Sequence, residues 1–360
     1  MSKKTIFIRS LIALVVWALF VAVTFTAWSI HWMNEKHVIP ETSQTVLIER
    51  GESLYSLAYR LQEANILKWP RIWVHYAKFK KRAFINAGEY RLDALESPLS
   101  LLDKFQSADV IQYSITFVEG MSADDALNVL RTEKRLKKHI PRDIQLEQAS
   151  DLGLDVAFLE GWMFPDTYAY SLGDSDLAVL QRAVKKMQRV LEEEWANRAE
   201  GLPYATAYEA LIMASIVEKE TGAPQEREEI AGVFVRRLQK NMRLQTDPTV
   251  IYGMGDDYSG NITRADLRKK TAYNTYRING LPPTPIALPG RAAIHAALHP
   301  AEGDSLYFVA KGDGTHYFSS SLEEHNKAVR RYQYKRKSNY RSQYQEDDTQ
   351  ESAKKEKESS

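Results

Sequence analysis

The chain has 360 residues, 44% of them apolar and 26% charged, with a net charge of +1 and no cysteine. That balance suits two or three modest globular domains, and without a basic excess it excludes a dedicated nucleic-acid binder. The lack of cysteine removes disulfides, thiolate nucleophiles and cysteine-ligated zinc, and it fits a chain exported to an oxidising compartment.

Leu11 to Ile30 is a run of twenty residues without a charge. At about 1.5 Å per residue a helix of that length crosses one bilayer. The run exceeds the apolar core of a cleavable signal, and its exit, "FTAWSIHWM", offers no small-x-small cleavage site. Trp28 and Trp32 near its end resemble an interfacial aromatic belt. Lys3, Lys4 and Arg9 precede the run, and only Lys36 follows closely. The positive-inside rule then predicts a cytoplasmic N-terminus over 1–10, a single span over 11–30, and the bulk of the chain outside the cytoplasm. Residues 31–44, polar and containing Pro40, read as a stalk.

In "QTVLIERGESLYSLAYRLQEANIL" an alternating strand from Val46 to Glu49 is followed by a turn at Gly51 and a helix through Leu54, Leu57, Ala58 and Leu61, with Ser53 as its N-cap. This resembles the first half of a LysM module, a small unit that grips N-acetylglucosamine polymers. The next stretch, "KWPRIWVHYAKFKKRAFINAGEYRL", adds a second helix and a strand near Ala87 to Leu92, so the LysM-like subdomain is taken as 45–110. Strands are then predicted at 114–118 and 306–310, and helices at 122–133, 176–196, 205–220, 227–239 and 291–298. The alternation predicts a mixed α+β domain over 111–335. Residues 336–360 lose apolar periodicity and read as a charged, disordered tail.

Within the last domain "LIMASIVEKETG" begins as an apolar helix and ends in Glu218, Lys219 and Glu220. At 100° per residue Glu218 falls over the Leu211, Ala214 and Ser215 strip, and Glu220 over Met213, Ile216 and Val217. Both acids are thereby drawn toward the interior, where a carboxylate is found only paired or in use. The plainer alternative ends the helix at a Gly222 cap with both acids in water. Spacing does not choose between the two readings. "LEGWMFPDTYAY", "LQTDPTVIYG" and "AYNTYRINGLPPTPIALPG" read as rigid loops joining aromatic faces to Asn, Gln and Asp, the combination a carbohydrate groove needs. His295 and His299 have the four-residue spacing of a helical metal pair, but no zincin-type acid adjoins them, and no metal or cofactor is expected.

"EGWMFPDTY", "ASIVEKET", "LQTDPTVIYG", "YNTYRINGLPPTPIALPG" and "YFVAKGDGTHYFSSSLEEHN" together resemble the ordered signature stretches of the endolytic murein transglycosylases, the YceG-like family. "TDPT" stands where many relatives have "SDPT". The resemblance implies an inner-membrane enzyme acting on peptidoglycan glycan strands. It would cut the β-1,4 bond between N-acetylmuramic acid and N-acetylglucosamine without water, leaving a 1,6-anhydro end. It further implies that Glu218 is the catalytic acid and base, with Gln245, Asn274 and Tyr276 as candidates for orienting sugars and penicillin-binding synthases as candidate partners. Two other readings compete. One is a wall-binding scaffold without catalysis; the other is a hydrolase of the same bond with Glu160 or Asp166 as its second carboxylate.

Overall fold

The computed structural model of the chain describes residues 3–107, 109–220 and 222–333. The expected tail over 336–360 lies outside them. Two compact units emerge. The first takes the chain up to Tyr113 together with Ala169–Asp174, and the second takes Ser114–Tyr168 and the chain from Ser175 onward.

The first unit begins with helix α1, Lys3–Asn34, whose stretch Phe7–Asn34 is long and apolar enough to cross a membrane. Strand β1, His37–Val38, and strand β2, Thr45–Ile48, lead into helices α2, Leu54–Glu63, and α3, Pro70–Phe79. Strands β3, Gly88–Arg91, and β4, Leu95–Glu96, and helix α4, Pro98–Gln106, follow. The strands pair antiparallel, β1 with β4 and β2 with β3, in a register that sets Val46 opposite Tyr90. Ser53 caps α2 as its sequence predicts, accepting from the Ser56 N–H at 3.0 Å. Leu57, Leu61, Trp73, Tyr90, Leu101 and Phe105 form the core of this unit. The expected stalk is part of it, because Trp32, Met33 and Ile39 are buried in the same core and β1 is paired.

Strand β5, Gln112–Thr116, pairs with β6, Thr167–Ser171; helix α5, Ala123–Thr132, lies between them in the chain. The second unit continues with α6, Asp176–Ala196, α7, Ala207–Glu220, α8, Arg227–Gln239, α9, Asp247–Met254, and α10, Arg291–Leu298. It closes with β7, Tyr307–Ala310, antiparallel to β8, His316–Ser319, and with α11, Leu322–Tyr332. The chain is thus mixed helix and strand, and its strands among the described residues are only two to five residues long. Helices therefore supply most of the core.

At the centre is α7, on which every residue from Ala210 to Val217 is buried. It packs against α6, α8, α9 and α10. Small residues are buried on both α7 and α10, Ala210 and Ala214 on the first and Ala293, Ala296 and Ala297 on the second, and the two helices are packed together. A helix surrounded in this way needs no amphipathic stripe, which is why its apolar residues occur all round.

Candidate active site

Three segments meet at the C-terminal end of α7. Ser215, fully buried on the helix, donates its hydroxyl to the Ile212 carbonyl at 2.7 Å and accepts the Ile286 N–H at 3.0 Å. This bond ties the proline-rich loop to α7. The same loop joins the turn after β5, since the Gly120 N–H donates to Leu288 O at 2.9 Å and the Leu288 N–H to Met121 O at 2.7 Å. Lys219 fastens that turn to α7 by donating to Gly120 O at 3.1 Å.

Glu218 occupies the junction, with 6% of its side chain exposed. Its Oε2 accepts the Gly290 N–H at 3.0 Å, and its Oε1 lies 3.4 Å from Nη2 of Arg227, the first residue of α8. Burial raises the Glu218 pKa above the ordinary carboxylate value; the Gly290 N–H and Arg227 oppose the rise, and the nearby Glu119 charge adds to it. The result is an acid drawn toward its protonated form but supplied with partners for its charged form.

Glu220, two residues further along the same helix, faces different surroundings. It accepts the Thr246 hydroxyl, and burial pushes its pKa up to about 7. It lines a cavity of about 660 Å³ together with Arg237, Gln245, Asp247, Tyr276 and Tyr307. Gln245 sits there with φ of 54°, in the left-handed region that a side-chain-bearing residue enters only at a cost of about 1–2 kcal/mol. Tyr276 donates its hydroxyl to Asp247 Oδ1 at 2.7 Å.

Comparison with known proteins gives this geometry a context. Residues 46–331 match the YceG-like family. The chain belongs to that family. It is 31% identical over 309 residues to an endolytic murein transglycosylase of Bacillus subtilis strain 168, an alignment covering 81% of this chain and 85% of that protein. It is 28% identical over 320 residues to the endolytic murein transglycosylase of Streptococcus pneumoniae strain D39, covering 79% of this chain but only 57% of that longer protein. A solved structure of a YceG-like protein from Listeria monocytogenes aligns with a TM-score of 0.50 at 30% identity, over 81% of this chain and 98% of the other.

In this YceG-like chain the sequence-predicted residues fall into separate groups. Gln245 and Tyr276 gather around Glu220, and neither has a hydrogen bond to Glu218 among the described residues. Asn274 is 1% exposed, and its amide donates to the carbonyls of Asp266, Leu267 and Lys269 while its Oδ1 accepts the Tyr276 N–H. It shapes the loop from within. Glu160 is equally buried, held by the Ala123 N–H at 3.0 Å and the Tyr252 hydroxyl at 3.1 Å, with a pKa pushed by burial up to about 7. Asp166 pairs with Lys186. The two acids weighed as a second carboxylate are therefore engaged elsewhere.

The neighbours of Glu218 are residues the sequence did not single out: Glu119, Arg227 and Gly290. Arg227 does leave a legible signal, because a cation in the first turn of a helix opposes the dipole unless an acid is near. Glu194, His295 and His299 bring ligand atoms within 4.8 Å of one another, enough to hold a cation in principle. Both Glu194 oxygens are already taken, by Arg291 at 2.8 Å and His295 at 2.9 Å, and the cluster reads as a tie between α6 and α10.

Proposed function

We propose that this chain is a lytic transglycosylase of peptidoglycan, an enzyme that cleaves the glycan strand between N-acetylmuramic acid and N-acetylglucosamine and closes a 1,6-anhydro ring. The observation that carries the reading is the Glu218 carboxyl, buried at a loop junction with its pKa raised and with both Gly290 N–H and Arg227 in reach. Family membership and relatives named for this activity support it.

One carboxyl group acts twice. The protonated Glu218 gives its proton to the glycosidic oxygen as the bond from C1 breaks. The carboxylate left behind is stabilised by the Gly290 N–H and Arg227. It then takes the proton of the muramic C6 hydroxyl while that oxygen bonds to C1. Protons balance without water, so no second carboxylate is required. Glycan residues flanking the cut would lie along the cavity bordered by Gln245 and Tyr276, and the strained backbone at Gln245 supports a binding role.

A second reading makes Glu220 the acid, favoured by the cavity it faces. Digestion of purified glycan strands by the Glu218→Gln and Glu220→Gln proteins separates the two. New anhydro ends in the wild type identify the transglycosylase, new reducing ends a hydrolase, and no new ends a scaffold.

We also infer a single-pass anchor with the second unit outside the cytoplasm, supported by the apolar Phe7–Asn34 stretch and by Lys3, Lys4 and Arg9 ahead of its uncharged run from Leu11 to Ile30. Such an enzyme would meet nascent strands beside the penicillin-binding synthases that extend them. The LysM-like unit is the candidate for a second glycan contact, supported by a polar cavity of about 530 Å³ at its strand-to-helix turn, lined by Glu49, Arg50, Glu52 and Arg60.

A further inference from the structure

We propose that Glu119 is a positioning residue for the reaction, competing with Glu218 for the single guanidinium of Arg227 and so deciding how firmly that cation holds the reacting carboxyl group. The proposal rests on Glu218 as the acid. One atom serves both acids: Nη2 of Arg227 is 3.4 Å from Glu218 Oε1 and 3.8 Å from Glu119 Oε2. The cation is confined, with only 13% of its side chain exposed, whereas Glu119 is 48% exposed.

Gly290 gives independent support. Its φ of −74° is one any residue adopts, so the backbone alone does not ask for glycine. A Cβ at this position would instead collide with the Glu119 carboxyl. The missing side chain makes room for that carboxyl directly over the residue whose N–H binds Glu218. The backbone of the turn that carries Glu119 is fixed, since Gly120 and Met121, which follow it, are bonded to Leu288 and Lys219.

The other charges nearby are committed. Lys219 is on Gly120 O, and Arg291, which follows Gly290, is bonded to Glu193 and Glu194. Glu228 and His295 line the cavity beside Arg227 and are not among the groups that shift Glu218. Glu119 and Arg227 are thus the charged pair facing the acid. While Glu119 is charged it draws on Arg227 and repels a second negative charge, which favours the protonated Glu218 needed to start the reaction. When Glu218 has given up its proton, the same guanidinium is there to receive the new charge.

The test is the pH profile of anhydro-end release by the full-length protein in detergent, read beside the melting temperature. Glu119→Gln frees Arg227 for Glu218, so the alkaline limb, where the acid loses its proton, should move to lower pH by about half a unit. That is roughly a three-fold loss of rate on the limb. Glu119→Asp keeps the charge and should restore most of the limb. Arg227→Met should move it the opposite way. A Glu119→Gln protein that loses activity equally at every pH, or whose limb stays in place, overturns the proposal and leaves Glu119 a purely structural residue. If Glu218→Gln remains active, it is the reading of the acid that fails, a result distinct from an unmoved limb.

Discussion

Glu218 and Glu220 are separated by one residue on one helix, both drawn inward and both with raised pKa, yet they differ in what surrounds them. Glu218 is met by a backbone N–H, a guanidinium and a second carboxylate from three other segments. Glu220 is met by a hydroxyl and an open cavity. Burial alone makes an acid reluctant to ionise; catalysis also requires that its ionised form be accommodated, and on that count the two sites diverge. Substitutions at and beyond these two acids, and the response to pH, put this contrast to the test.

The largest effect should come from Glu218→Gln, which keeps the size of the side chain but can neither give nor take the proton. Anhydro-end yield should fall by about 10²- to 10⁴-fold, the usual weight of positioned proton transfer. Glu220→Gln should keep a substantial fraction of activity. Reversal of this order would transfer the acid to the cavity.

Stability against pH should report the acids that burial draws toward their protonated form, Glu160 and Glu220 most strongly. Glu160 and Glu220 have folded pKa values pushed from the ordinary 4.5 up to about 7. The folded state therefore binds more protons between those values, and the stability associated with each group, full below 4.5, is lost as pH rises through 7. For Glu160 the loss is roughly 3 kcal/mol at 1.36 kcal/mol per unit. Melting curves of wild type should decline from pH 5 to pH 8. Glu160→Gln and Glu220→Gln should each flatten the decline, and unchanged slopes would contradict their burial as ionisable groups.

Ser215→Ala should cost about 1–3 kcal/mol by leaving the buried Ile286 N–H without its acceptor. Because that bond ties down the loop carrying Gly290, activity should fall further than the melting temperature explains. A loss of stability with full activity would detach the loop from the Glu218 site. The smallest effect is expected of Tyr276→Phe, which removes one hydrogen bond to Asp247, worth about 1 kcal/mol. It should raise KM more than it lowers kcat if the cavity binds glycan. An equal fall in kcat with KM unchanged would argue that Tyr276 belongs to the chemistry.

Much of the helical frame is legible in the sequence. The bounds of α6, α8 and α10 follow from their periodicity, and Ser53 caps its helix as expected, by a hydrogen bond of 3.0 Å. "LQTDPTVIYG" misleads, since the proline that suggests a loop sits in the first turn of α9, where its missing N–H costs nothing. Asn274 shows a different limit. Its polarity suggests a ligand contact, but a buried amide can equally satisfy three backbone carbonyls. Motif resemblance singles out Glu218, yet Glu119 lies 99 residues before it and Gly290 72 residues after. Their convergence depends on loop-to-loop bonds that no local pattern encodes.

The burial of Trp32 and Met33 in the first unit gives the apolar helix a mechanical meaning. Trp28 adds an edge contact to Trp69, with ring centroids 6.1 Å apart, and Lys68 lies over the Trp69 ring at 5.5 Å. Where α1 crosses a bilayer, it meets its folded unit as a shaft meets a hub, without a slack length of chain between them. A leash would let the unit roam over a hemisphere above the lipid; a shaft fixes its height and lets it turn only with the helix. Wherever that helix spans a bilayer, whatever this unit touches must then lie at a set distance from the lipid.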